Sequence, residues 1–120
     1  MSGTIHLDRH GEHVALIRID RPEARNALTP RMLCALADAF LAVRDDAQVR
    51  AVVLTGTGDV AFCAGGDLGL TLPLMTGARA PQDEFDRRLL DDPRTLEASS
   101  LRGFDIVKPT ICAINGTCLA

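Results

Sequence analysis

Phe62-Cys63-Ala64-Gly65-Gly66-Asp67-Leu68 follows an apolar run, Arg50-Ala51-Val52-Val53-Leu54-Thr55-Gly56, that has the length and make-up of a buried strand. A buried strand leading into a loop of small residues with an acid at its exit predicts a ligand-binding turn. Glycine removes the Cβ that would keep a ligand from the backbone N–H groups. Asp67 is placed to cap a helix beginning there, and backbone donors at a helix start favour negative charge. The stretch is expected to hold an oxyanion.

Outward from that loop, residues 49–55 form a continuous apolar run, which predicts a strand buried on both faces of a parallel sheet. Before it, Thr29-Pro30 marks a helix start, with Thr as N-cap and Pro at the first helical position. Leu33, Leu36, Ala37, Phe40 and Val43 follow at helical spacing as one apolar stripe. Asp45-Asp46 is expected just beyond the helix end, because acids there oppose the dipole. Residues 5–7 and 14–19 predict a hairpin turning at His10-Gly11-Glu12, with Ala15, Ile17 and Ile19 on its more apolar face. Pro22 stops the second strand. Strand, helix, strand is a βαβ unit.

Beyond Leu68 the pattern is weaker. Residues 70–81, interrupted by Pro73, Gly77 and Pro81, are expected to be a flap. Phe85, Leu89 and Leu90 predict a short helix, and Asp92-Pro93 a second cap-and-start pair. Leu96, Leu101, Phe104 and Val107 predict a helix running to Lys108-Pro109 despite Gly103. Residues 110–114 predict a further buried strand, and Asn115-Gly116 a turn.

The composition excludes several classes. With 120 residues, 47% apolar and 24% charged, the chain has the make-up of one globular domain. A net charge of −3 speaks against nucleic acid as a partner. No apolar run nears the ~20 residues of a membrane span, and the N-terminus lacks a signal peptide's apolar stretch. Cys34, Cys63, Cys112 and Cys118 form no C-x-x-C pair, so a reducing, cytoplasmic setting is expected, with Cys112 and Cys118 in the core. His6, His10 and His13 surround the hairpin turn with no fourth ligand in view, so exposed polar residues and no metal site are expected. No glycine pattern of a dinucleotide or phosphate loop is present.

Three segments in order carry a family resemblance: Asp20-Arg21-Pro22-Glu23-Ala24-Arg25-Asn26-Ala27-Leu28, Phe62 to Leu68 as quoted, and Lys108-Pro109-Thr110-Ile111-Cys112-Ala113-Ile114-Asn115-Gly116. Together they resemble the crotonase superfamily, the enoyl-CoA hydratase/isomerase family, over the whole chain. The resemblance implies an α/β fold of repeated ββα units, of which residues 1–120 are the N-terminal part of a single domain. It implies an acyl-CoA substrate of fatty acid metabolism, no cofactor beyond the CoA carried by that substrate, and assembly as a homotrimer or hexamer. The Gly66 N–H is the implied oxyanion donor. The CoA contacts fall at Ala24, Arg25, Ala27, Ala64, Gly65, Gly66, Asp67 and Leu68, with Arg21 or Arg25 suited to the phosphates and Asp67 a cap or brace, not a base.

Hydration of a 2-enoyl-CoA is the default reaction. Isomerisation, dehalogenation, decarboxylation and thioester hydrolysis share the same hole. The second donor is implied directly after Ala120 and the catalytic carboxylates later still. The alternatives are a truncated, non-catalytic relative that binds CoA weakly or only packs with partner subunits, and a general nucleotide-binding module.

Overall fold

The computed structural model describes residues 3–119. Strands β1 (Thr4–His10) and β2 (Val14–Asp20) form the expected antiparallel hairpin, with Ile5 opposite Ile19 and Leu7 opposite Ile17. A single 3-10 turn, Pro22–Ala24, leads to helix α1 (Pro30–Asp45) and then to β3 (Ala51–Gly56), which lies parallel to β2. Strand β4 (Ala61–Cys63) precedes three helices: α2 (Thr71–Thr76), α3 (Glu84–Asp91) and α4 (Pro93–Ser100). Strand β5 (Thr110–Ala113) completes a four-stranded sheet in the order β1-β2-β3-β5, and β6 (Thr117–Cys118) pairs in parallel with β4 in a second, small sheet. No helix among the described residues is long and apolar enough to cross a membrane.

Helix α1 begins where the sequence predicts. The Thr29 hydroxyl accepts from the Met32 N–H at 3.2 Å, satisfying one of the donors a helix start leaves open. Its apolar surface is wider than one stripe. Leu36, Ala39, Phe40 and Val43 pack on Ala15, Ile17, Val49 and Val52 of the sheet side, while Leu33 packs on Leu74 of α2 and Leu89 of α3. Met32 joins Ile19, Phe62 and Cys63 in a third cluster. The helix is therefore sandwiched between the sheet and the later helices. Asp45 is the last helical residue and not beyond the end, and Asp46 is the C-cap. The Lys108 ammonium donates to the Val43 and Asp46 carbonyls and supplies the positive charge that this end requires.

Other expectations are corrected. Residues 70–81 contain helix α2, with Leu74 buried and an αL cap at Gly77, and Arg79 then pairs with the buried Asp86 at 2.7 Å. Helix α4 stops at Ser100 instead of continuing to Val107. Leu101 adopts φ 55, its N–H donates to the Ala98 carbonyl, and the Arg102 N–H donates to that of Glu97. This double closure is a Schellman ending, here without its usual glycine. Strand β3 is fully buried at Val52 but only half-buried at Val53 and Leu54, and β5 is an edge with Ile111 58% exposed. Of the cysteines, Cys34 and Cys63 are buried while Cys112 and Cys118 are exposed, because one side of β5 and β6 is open.

Candidate functional site

The loop after β4 is held by the segment after β2. The Ala64 N–H donates to the Arg25 carbonyl at 3.1 Å, the Leu28 N–H to the Gly65 carbonyl at 2.8 Å, and the Asp67 N–H to the Leu28 carbonyl at 2.9 Å. Leu28 and Gly66 thus face each other as an isolated parallel bridge. In such a bridge the residue between the two bonded peptides turns its own polar groups the other way. The Gly66 N–H accordingly has no hydrogen-bond partner among the described residues, and Gly66 is exposed.

The two glycines differ in what requires them. Gly65 sits at φ 95, a conformation that side chains disfavour. Gly66 has no such φ, and a Cβ there would meet only the Thr71 methyl at 3.4 Å, an ordinary contact. The fold needs glycine at 65. At 66 the backbone itself does not require glycine, and the residue is exposed.

Asp67 is a brace. One carboxylate oxygen accepts from the Gly69 and Leu70 N–H groups at 2.8 and 2.7 Å, and the other pairs with the Arg21 guanidinium at 2.6 Å. Burial pushes its carboxyl up. The Arg21 guanidinium and the Leu70 and Gly69 N–H groups outweigh that and hold it below the usual carboxylate range. Three of the roughly four lone-pair sites of this carboxylate are thus occupied by structural partners. Leu68 is 78% exposed at the lip of the loop.

The CoA-contact candidates Ala24, Arg25 and Ala27 lie in a tight turn in which the Ala27 N–H donates to the Ala24 carbonyl at 3.0 Å. Arg25 and Asn26 both adopt left-handed backbone, φ 54 and 59. Arg25 is exposed, and its guanidinium makes no hydrogen bond or ion pair among the described residues. Beside it lies a cavity of about 130 Å³ lined by Pro22, Asn26, Thr57, Gly58 and Val60. Arg21, the other phosphate candidate, is corrected. Its side chain is 11% exposed and turned inward to Asp67 and the Ala27 carbonyl, so it presents no charge to a ligand.

The residue that sequence reasoning quoted but gave no role is Asn26. It is 1% exposed and links three segments through its carboxamide. The available signal was an Asn inside a loop, since Asn tolerates left-handed backbone better than most residues. A larger apolar groove of about 580 Å³ runs between Met75, Leu89, Leu90, Pro93 and Leu96, away from the glycine loop in sequence. His6 bonds Asp20 at 2.8 Å and His13 the Gln48 carbonyl at 2.9 Å, so both are half-buried and tied, not free at the surface.

Comparison with known proteins gives consistent matches. The family model described as enoyl-CoA hydratase/isomerase matches residues 9–120. The chain is 33% identical over 119 residues to YngF of Bacillus subtilis (strain 168), covering 99% of this chain and 42% of that protein. It is 35% identical over 116 residues to a carnitinyl-CoA dehydratase of Salmonella enteritidis PT4 (strain P125109), covering 97% and 40%. A crystal structure of a carnitinyl-CoA hydratase from Mycobacterium avium superimposes with a TM-score of 0.68 at 38% identity, covering 93% of this chain and 38% of that one. The chain spans about two fifths of the length of the curated relatives it matches.

Proposed function

The chain belongs to the enoyl-CoA hydratase/isomerase family and has its crotonase-like α/β fold, and on that premise we propose that it binds an acyl-CoA thioester and stabilises the enolate formed from it. The Gly66 N–H donates to the thioester carbonyl oxygen. When water adds to the β-carbon of a 2-enoyl thioester, or a proton leaves the α-carbon, the electron pair moves onto that oxygen. A donor already aimed at it needs no reorganisation and contributes ~10²–10³ in rate.

The adenine end of CoA lies against Ala24, Arg25 and Ala27 and the backbone at Ala64, with the Arg25 guanidinium on a phosphate. Gly65, Asp67 and Leu68 complete the contact around Gly66. CoA enters with the substrate and no other cofactor takes part. Hydration of a 2-enoyl-CoA is the reaction proposed, in a homotrimer or hexamer.

What supports this reading above all is the outward, unpartnered Gly66 N–H on a peptide whose carbonyl is already bonded. The test is thermal unfolding of the intact protein with acyl-CoA, with CoA alone and with ATP at millimolar concentration. Acyl-CoA is expected to raise the midpoint most. No rise with any CoA species would end the proposal, and equal rises with ATP would point to a general nucleotide site.

A further inference from the structure

The geometry points to Asn26 as a positioning residue for the Gly66 donor, a role that rests on the enolate-stabilising reading above. Asn26 does not face the ligand. It is buried at φ 59, and every polar atom of its side chain is used within the chain. Its Oδ1 accepts from the Arg21 N–H at 2.8 Å, and its Nδ2 donates to the Thr57 carbonyl at 3.1 Å and the Ala61 carbonyl at 2.9 Å. Its backbone N–H donates back to the Arg21 carbonyl at 2.9 Å. One carboxamide therefore ties the turn after β2 to the β3–β4 connection and to β4 itself.

Its neighbours carry the consequence. The Arg25 carbonyl receives the Ala64 N–H, and the Leu28 N–H holds the Gly65 carbonyl. The carbonyl of the peptide bearing the Gly66 N–H is thus held by the residue two after Asn26, and the Ala64 N–H, two peptides earlier, by the residue one before it. The Ala61 carbonyl is gripped a second time by the Asn115 Nδ2 at 3.1 Å, which also donates to the Gly58 carbonyl at 2.7 Å. The base of the loop is therefore clamped from both sides by carboxamides, and on the side that leads to Gly66 that clamp is Asn26. Fully satisfied buried networks of this kind specify one arrangement.

The experiment is the absorption spectrum of a conjugated dienoyl-CoA bound at saturation to the intact protein, since polarisation of the thioester carbonyl shifts its band to the red. Asn26→Gly keeps the left-handed backbone and removes the carboxamide. Asn26→Asp keeps the shape and Oδ1 but removes both Nδ2 donors. Both are expected to bind the probe and lose most of the red shift. A purely stabilising residue would change the amount bound and leave the shift at saturation intact, so a wild-type shift in both variants would overturn the proposal. No shift in the unaltered protein would overturn the Gly66 reading itself, and Asn26's role with it.

A second measurement needs no variant. In the unaltered protein, hydrogen exchange of the Asn26 side-chain amide and of the Leu28 and Ala64 N–H groups is expected to share one opening free energy and one urea dependence. Exchange of Leu28 and Ala64 independent of Asn26 would overturn the link.

Discussion

The Leu28 N–H donates to the Gly65 carbonyl at 2.8 Å, and this bond sets the direction of the Gly66 N–H. A trans peptide is planar, so its C=O and N–H point in opposite directions, and the described residues include no cis peptide. Holding the carbonyl inward turns the amide outward. The same bond polarises the peptide and strengthens the donor on its other side.

Removing that donor is the first prediction. In the intact protein Gly66→Pro is expected to lower turnover of an enoyl-CoA by ~10² or more, the size of one oxyanion donor. Gly66→Ala keeps the N–H and meets only the Thr71 methyl at 3.4 Å. It should unfold at the wild-type temperature yet bind acyl-CoA more weakly, because its methyl occupies the approach to the donor. Full turnover in the proline variant would remove Gly66 from the chemistry.

Gly65 behaves differently. At φ 95 a side chain is strained, so Gly65→Ala should cost about 1–3 kcal/mol of stability, read from urea unfolding. An unchanged midpoint there would mean that the loop takes another backbone path.

The two arginines after β2 separate into two roles. Arg21→Ala strands the largely buried Asp67 carboxylate and is expected to cost about 3 kcal/mol of stability. Arg25→Ala should leave unfolding untouched and weaken CoA about tenfold, the value of a hydrogen bond to a charged group. That weakening should shrink with added salt. Equal stability losses in both variants would contradict the inward and outward placement.

Acid should expose the Asp67 brace. Its folded carboxyl lies below the usual range, so its contribution is present above the unfolded value of about 3.9. It is lost as pH falls from there through the lower folded value. Wild-type stability is expected to decline across that acid window, and Asp67→Asn to decline less steeply. Parallel acid limbs in the two proteins would show that Asp67 is not stabilised by its partners.

Much of the fold was readable because its signals are local. The Thr29 cap, Pro30 and the apolar spacing from Leu33 to Val43 act within a few residues of one another, as does the alternation at Ala15, Ile17 and Ile19. The end of α4 was not readable. Gly103 was the visible breaker, yet the helix closes earlier on Leu101, after Ser99 and Ser100 turn their hydroxyls back to the Leu96 carbonyl. Helices permit such back-bonding but are weakened by it. The burial of β3 and β5 was overestimated because an apolar run records what a strand can bury, not what covers it here.

By itself the sequence determined the hairpin, the capped helix α1, the strand β3 and a glycine turn leading to Asp67, since each depends on steric and hydrogen-bonding preferences over a few residues. Tertiary structure alone decided what that loop offers. Arg21 reaches Asp67 across 46 positions and Asn26 reaches Ala61 across 35. No local preference encodes either bond, because each forms only when the sheet brings the two segments together. The Arg21–Asp67 bond turns Arg21 inward while Arg25 stays outside. The equally long-range bond from the Leu28 N–H to the Gly65 carbonyl turns the Gly66 N–H outward.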